Sequence, residues 1–216
     1  MHIKRNSMPK IWPIARKSKK SRYIAVASHS KSSSIPLLFI VRDILKIANT
    51  RKEARHLILN GDVKINCRIR KDEKFPVQVF DIIAFGKTGK NYRLEIVNGK
   101  FNLKEHKEEE KKIVKILGKK VLGRGVIQIN LEDGRNFITK EKFNLGDSAL
   151  IDLNKNKIEK IIPLKENSSV QIISGKHSGE RGKLKAIEQL KREKRFIIKL
   201  ENKEVKLPAK TILVIE

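Results

Sequence analysis

Cysteine occurs once in the 216 residues, at Cys67. A single thiol excludes an intrachain disulfide framework and a cysteine-built zinc cluster, and it fits a reducing compartment. Aromatic residues make up only 5% of the chain. That is too few to fill one large core, so several small domains are expected, each marginal by itself. Long apolar runs are missing as well. The best, Ile35–Val41, stops at Arg42-Asp43, far short of the about 20 residues a membrane-spanning helix needs. It also starts too late and runs too short for a signal peptide. The expectation is a cytosolic chain without a membrane partner.

Negative charge is scarce relative to positive. Lys and Arg number 50 against 24 Asp and Glu, a net charge of +26, where an ordinary small domain carries about 2–8. Such a chain needs a polyanionic partner to offset its self-repulsion. The cations run along the whole length, which favours an extended polyanion, nucleic acid, over one local patch. The first acidic residue is Asp43. Ahead of it stand Lys4, Arg5, Lys10, Arg16, Lys17, Lys19, Lys20 and Arg22, with a Ser- and Lys-rich stretch at Lys17–Ser34. Little apolar periodicity accompanies them, so residues 1–34 are expected to form an extended tail that orders only on a polyanion. Trp12 and Tyr23 are available there to stack or to pack.

After Pro36 the pattern changes. Leu37, Leu38, Val41, Ile44, Leu45 and Ala48 follow the spacing of one face of an amphipathic helix. Thr50-Arg51-Lys52-Glu53 then reads as a capping box, opening a second helix that ends near Asn60, with Gly61 as its stop. Arg51 and Arg55 fall together at i, i+4 with Lys52 beside them. Like charges so placed cost stability unless something negative lies against them. Beyond Gly61 the period becomes two, through Val63, Ile65, Ile69, Val77, Val79 and Ile82-Ile83, and short strands are expected. Turn signals at Gly89, Asn98-Gly99, Asp133-Gly134 and Gly146-Asp147 punctuate residues 86–166, the pattern of a small all-β barrel. Residues 167–216 hold five more short strands.

The last block contains SGKHSGERGKL at Ser174–Leu184. Three glycines alternate with Lys176, His177, Arg181 and Lys183. A P-loop needs G-x-x-x-x-G-K-[ST] between a strand and a helix. This loop lacks the spacing, and strand residues follow it. The near-match GKKVLGRG at Gly118–Gly125 has Arg124 and Gly125 where the lysine and the hydroxyl belong, and it reads as a basic turn. Glycine-bearing turns expose N–H groups that bind anions, so the loop is expected to hold nucleic-acid phosphates. Catalysis has little support. The five histidines are scattered without metal-ligand spacing, and no nucleophile–base pair is evident. No catalytic residue, metal or cofactor is expected, and no small-molecule substrate.

TRKEARHLILNGDVKINCRIR, at the centre of the helix–helix–strand order, resembles the S-four-type RNA-binding domain over Ile35–Phe85. That resemblance implies that Arg51, Lys52, Arg55, Lys64, Arg68 and Arg70 face RNA. Asn66-Cys67 departs from the usual Asn-Gly of the hairpin turn. VQIISGKHSGERGKL resembles the KOW motif, a strand, a basic glycine loop and a strand. With HIKRNSMPKIW, SIPLLFIVRDIL and RKDEKFPVQVFDII, the whole order resembles the small-subunit ribosomal protein S-four-e family of archaea and eukaryotes. The resemblance implies an α+β multidomain chain. Its parts would be a basic extended N-terminal tail (1–34), a small RNA-binding domain of two helices and a β-hairpin (35–85), a central small β-barrel (86–166) and a C-terminal SH3-like KOW barrel (167–216). It further implies a non-enzymatic constituent of the small ribosomal subunit, in the cytoplasm. Its partners would be small-subunit rRNA and neighbouring ribosomal proteins, without homo-oligomer formation. The lack of a long C-terminal extension leans toward the archaeal form. The rival class is a free KOW-containing nucleic-acid-binding factor.

The glycine-loop reading has a direct check. Equilibrium titration of the protein with ATP should give no saturable binding, since the P-loop lysine and hydroxyl have no counterpart. A saturable isotherm would return the loop to the nucleotide-binding class.

Overall fold

A computed structural model describes residues 2–17, 21–31, 33–86, 89–106, 110–123, 125–189, 194–200 and 203–215. The chain divides into two compact units, Met1–Glu110 and Lys111–Glu216.

In the first unit the N-terminal segment is built into the fold. Strand β1 (His2–Lys4) pairs antiparallel with β2 (Tyr23–Ala25). Met8, Trp12, Ile24, Val26 and Ala27 are buried. The Trp12 ring lies 5.5 Å from Phe39, and its Nε1–H donates to the Ser34 carbonyl at 2.9 Å. The expectation of a tail without structure of its own is thereby corrected. Its apolar residues are few and not periodic, but each enters the core separately. Trp12 packs, whereas Tyr23 stays half exposed.

Strand β3 (Ser34–Pro36) leads into helix α1 (Leu37–Phe39), which widens at once into a π-helical turn, Ile40–Ile44. The expected single apolar face is an understatement, because Leu37 to Val41 are all buried. The Leu45 amide reaches back to the Ile40 carbonyl at 2.9 Å, and Lys46 at φ 54° ends the element short of Ala48. Helix α2 (Arg51–Leu59) carries the capping box in full: the Glu53 amide donates to Thr50 Oγ1, and the Glu53 carboxylate accepts from the Asn49 and Thr50 amides. Ala54 and Ile58 turn inward.

Strands β4 (Val63–Ile65), β5 (Arg68–Ile69), β6 (Pro76–Gln78), β7 (Ile82–Phe85), β8 (Lys90–Val97) and β9 (Lys100–Glu105) follow. Strand β6 pairs with β3, and the others form one antiparallel sheet of order β5-β4-β7-β8-β9. The sheet therefore continues past residue 85, where the sequence pattern suggested a boundary. The turn signal at Gly89 joins β7 to β8 in register. Asn66 and Cys67 both have positive φ, 50° and 62°, the requirement of a type I′ hairpin turn. Cysteine resists that geometry by about 1–2 kcal/mol, but Asn66 is clamped. Its Nδ2 donates to Asp81 Oδ1 at 2.8 Å, and its Oδ1 accepts from the Ile82 amide at 3.1 Å.

The second unit is all strand apart from one 3-10 turn among its described residues. It comprises β10 (Lys111–Gly123), β11 (Val126–Leu131), β12 (Asn136–Thr139), β13 (Ser148–Asp152), β14 (Lys157–Ile162), β15 (Ser169–Ile172), β16 (Arg181–Gln189), β17 (Lys194–Lys199), β18 (Glu204–Pro208) and β19 (Ile212–Val214). Two five-stranded sheets result, β12-β11-β10-β13-β14 and β18-β17-β16-β15-β19. Strand β10 serves β13 with Lys111–Lys115 and β11 with Ile116–Gly123, and the register shifts at Leu117. It turns into β11 near Gly123 and Gly125; Arg124 lies outside the described residues. Val114, Ile116, Ile129, Leu131, Phe143, Ala149 and Ile151 fill the first sheet's core. Val170, Ile172, Leu184, Phe196, Ile198, Leu200, Ile212 and Val214 fill the second's.

A buried lysine stitches the two sheets. Lys115 on β10 is 4% exposed, and its ammonium donates to the carbonyls of Ala209 and Ile212, the latter at 2.7 Å. Burial lowers its pKa from the usual lysine value. Beside it the Val214 amide donates to Ser148 Oγ at 3.1 Å.

Gly182 tests the second core. A Cβ there would stand 2.6 Å from the Lys199 carbonyl oxygen and 2.8 Å from Ile198 Cγ2, closer than atoms pack. Gly182→Ala is expected to destabilise the protein by about 1–3 kcal/mol or more, read from denaturant unfolding. Gly99→Ala, facing open space at φ 72°, should cost only the backbone strain of about 1 kcal/mol.

Candidate nucleic-acid interface

The cations fall into three groups. The first surrounds the start of α2. Arg51 is anchored from behind: its guanidinium grips Glu73 in the loop before β6, with Nε to Oε2 at 3.2 Å and a second bond to Oε1 at 2.5 Å. Glu73 is the negative group that the Arg51–Arg55 pair requires. Arg51 lowers the Glu73 pKa chiefly through the hydrogen bond, against the opposing effect of burial, and Arg55 and Lys74 add charge attraction. Lys52, Arg55, Lys64 and Arg68 are exposed. Arg70 is half-buried, its guanidinium 4.4 Å above the Phe75 ring. The hairpin register pairs Lys64 with Ile69 and Arg68 with Ile65. Alternation along a strand then sets Lys64 and Arg68 on opposite faces.

The second group lies in the N-terminal segment. Lys4, Arg5, Arg16, Lys17 and Arg22 line one cavity of about 690 Å³ with Asn6 and Ser21. Arg5 donates to the carbonyls of Ser21 at 3.0 Å and Ala15 at 2.7 Å, and Arg16 to that of Met8 at 2.5 Å. Carbonyl partners position the guanidinia without neutralising them, and no carboxylate lines the cavity. Lys10 is exposed elsewhere in the segment. Lys19 and Lys20 lie outside the described residues.

The third group is the glycine loop between β15 and β16. The Gly179 amide closes it onto the Ile172 carbonyl at 2.8 Å, and Ser178 Oγ donates to the Ile173 carbonyl at 2.7 Å. Gly175 and Gly179 take φ 99° and 96°, which a β-branched side chain resists. Gly182 has no such φ; close strand approach is its reason. Lys176, Arg181 and Lys183 are exposed. His177 is set apart, its Nδ1 3.0 Å from Glu180 Oε1. Among the described residues no three His, Cys, Asp or Glu side chains gather to hold a metal ion.

Sequence reasoning missed Glu73 and Asp81 as organising groups, and Arg42 and Lys74 as neighbours of α2. The one available signal was the acid pair Asp72-Glu73 inside the basic run RKDEK.

This arrangement of two short helices and a basic hairpin falls in a known class: the S4 domain matches residues 38–83. The description "Ribosomal family S4e" matches residues 88–158. The chain is 36% identical to "Small ribosomal subunit protein eS4" of Methanocella arvoryzae over 86% of this chain and 80% of that one. Its counterpart in Methanosphaera stadtmanae is also 36% identical, over 94% and 86%. The crystal structure of the 30S ribosomal protein S4e from Thermoplasma acidophilum superimposes with a TM-score of 0.74 at 26% identity, covering 86% of this chain and 96% of that chain. The chain belongs to the ribosomal protein S4e family.

The Arg51–Glu73 clamp has a pH signature. The folded Glu73 pKa lies below its reference value of 4.5. The clamp's stabilisation is therefore present in full above pH 4.5 and is lost as pH falls through the lowered folded value. Arg51 is 61% exposed at its side chain, so the effect should be about 1 kcal/mol or less. The stability gap between wild type and Arg51→Ala should be constant near neutrality and close in acid. A gap that widens in acid would contradict the clamp.

Proposed function

We infer that the protein is an rRNA-binding structural constituent of the small ribosomal subunit. One observation carries the reading: relatives named as small ribosomal subunit proteins match 86–94% of the chain. They are named as subunit proteins, not as free elongation factors. Support comes from the three cation groups, whose partners within the chain are mostly carbonyls or a single carboxylate. Their charge is left for phosphate. The protein works without catalysis or cofactor, in the cytoplasmic ribosome, beside neighbouring ribosomal proteins.

Within this reading each group has its own part. The N-terminal cavity residues Lys4, Arg5, Arg16, Lys17 and Arg22 bind backbone phosphate, and Lys10, Lys19 and Lys20 extend that surface. Lys52, Arg55, Lys64 and Arg68 form the S4-domain contact, while Arg51 and Arg70 brace it. The C-terminal sheet is a KOW-type SH3-like barrel. Four strands meander, a 3-10 turn follows (Ala209–Thr211), and β19 returns beside β15. Its loop offers Lys176, Arg181 and Lys183 to phosphate.

Sucrose-gradient fractionation of cell extract tests the assignment: the protein should comigrate with small subunits, and a wholly soluble pool would reject it. Binding to small-subunit rRNA should weaken steeply with salt, each neutralised phosphate contributing roughly 0.7–0.9 to the log–log slope. Arg55→Ala and Arg181→Ala should each shallow that slope by about one phosphate, with unfolding midpoints unchanged, because both side chains are exposed. An unaltered slope in both variants would remove these residues from the interface.

A further inference from the structure

A second, smaller cavity in the first unit differs in chemistry from the cation groups above. It measures about 310 Å³, at the lower end of the range for small-ligand sites. His2 on β1 and Tyr23 on β2 flank it, and Arg5, Arg42, Arg51 and Lys74 surround it. Leu38 and Phe39, both buried in the core, close its base.

Tyr23 is the anomaly. It is 50% exposed, whereas every other described Phe, Tyr or Trp is buried or half-buried. Its ring is nonetheless held. His2 meets it edge-on, with centroids 5.0 Å apart and planes at 79°, and the β1–β2 pairing sets both side chains on one face of the ribbon. A fixed aromatic ring with open surface at the edge of a cavity is a stacking platform.

The surrounding cations are held in place too. Arg42 bonds Asp43 at 2.8 Å and lies 5.4 Å from the Phe39 ring centroid. Arg51 is fixed by Glu73, and Arg5 by two backbone carbonyls. Asp43 and Glu73 lie outside the lining but ion-pair Arg42 and Arg51, so the positive character of the rim comes chiefly from Arg5 and Lys74. Two other ligand classes fit less well. A duplex buries its base faces and cannot use the platform. An anion alone leaves the exposed aromatic ring without a role.

We propose that the cavity between the β1–β2 ribbon and the helices takes an unpaired nucleobase of RNA, stacked on Tyr23, with Arg5 and Lys74 receiving the adjoining phosphates and the ion-paired Arg42 and Arg51 framing the site. Aromatic stacking on single-stranded bases is sequence-tolerant, so the site selects unpaired nucleotides over paired ones without reading a base identity. The inference rests on the RNA-binding reading above and adds a distinction between RNA structures to it.

The test titrates the full chain, at one salt concentration, with two RNAs of equal length. One is a complete duplex, and the other carries a single-stranded segment. Wild type should prefer the RNA with unpaired bases. Tyr23→Leu should lose about tenfold in affinity for that RNA and less than twofold for the duplex, while Tyr23→Phe should keep the preference. Unfolding midpoints verify that each variant is folded. Equal loss for both RNAs, or an unchanged preference in Tyr23→Leu, would overturn the base site while leaving RNA binding intact. Failure of wild type to bind either RNA would overturn the RNA-binding reading and this inference together.

Discussion

With 24 carboxylates to 50 cations, the fold depends on where each carboxylate is put. Most that can be followed are tied to the chain itself. Glu53 closes the capping box of α2. Asp81 holds the Asn66 turn and the Gln78 amide. Asp147 accepts from the amides of Asn144 and Leu164, joining the entry of β13 to the exit of β14. Asp152 caps the turn after β13 through the amides of Asn154 and Lys155. Ionised acceptors make the stronger hydrogen bonds, so few carboxylates secure many turns. The cations left over have water and, in the proposed function, phosphate. Structure and interface thus follow from one imbalance.

Among the described residues two cations break the pattern by going inside. Lys112 is buried against Asp133, its ammonium 3.5 Å from Oδ2. Lys115 has carbonyl partners. Burial disfavours its charged form, and the two carbonyls repay part of that cost. With a folded pKa below the unfolded one, the folded state sheds its proton first. The penalty on Lys115 therefore shrinks as pH rises from the lowered value toward 10.5. Its geometry, bonded to the chain on both sides of Thr211, makes it a joint between sheets.

The cation surfaces are of two physical kinds. The N-terminal cavity and the glycine loop present charge on backbone-held scaffolds, which suits phosphate and carries no sequence information. The Tyr23 cavity adds an exposed aromatic face. In the proposed function charge alone recruits RNA of any form. The proposed stacking platform distinguishes unpaired from paired bases, and in that reading the two kinds divide attraction from discrimination.

Much of this was legible in the residues. The capping box of Thr50 and Glu53, the Arg51–Arg55 pair, the Gly61 stop and the basic glycine loop all rest on contacts between near neighbours, where helical spacing and turn chemistry suffice. The tertiary structure decided the rest. Glu73 meets Arg51 from 22 residues away, and Asp81 meets Asn66 from 15. Trp12 reaches Ser34, and β8 and β9 extend a sheet that the turn signals had divided. Local periodicity tells which face of an element is apolar, but not which strand edge or distant acid will meet it. That pairing is settled only when the elements pack, because burial of the whole core selects among edges that are alike in sequence.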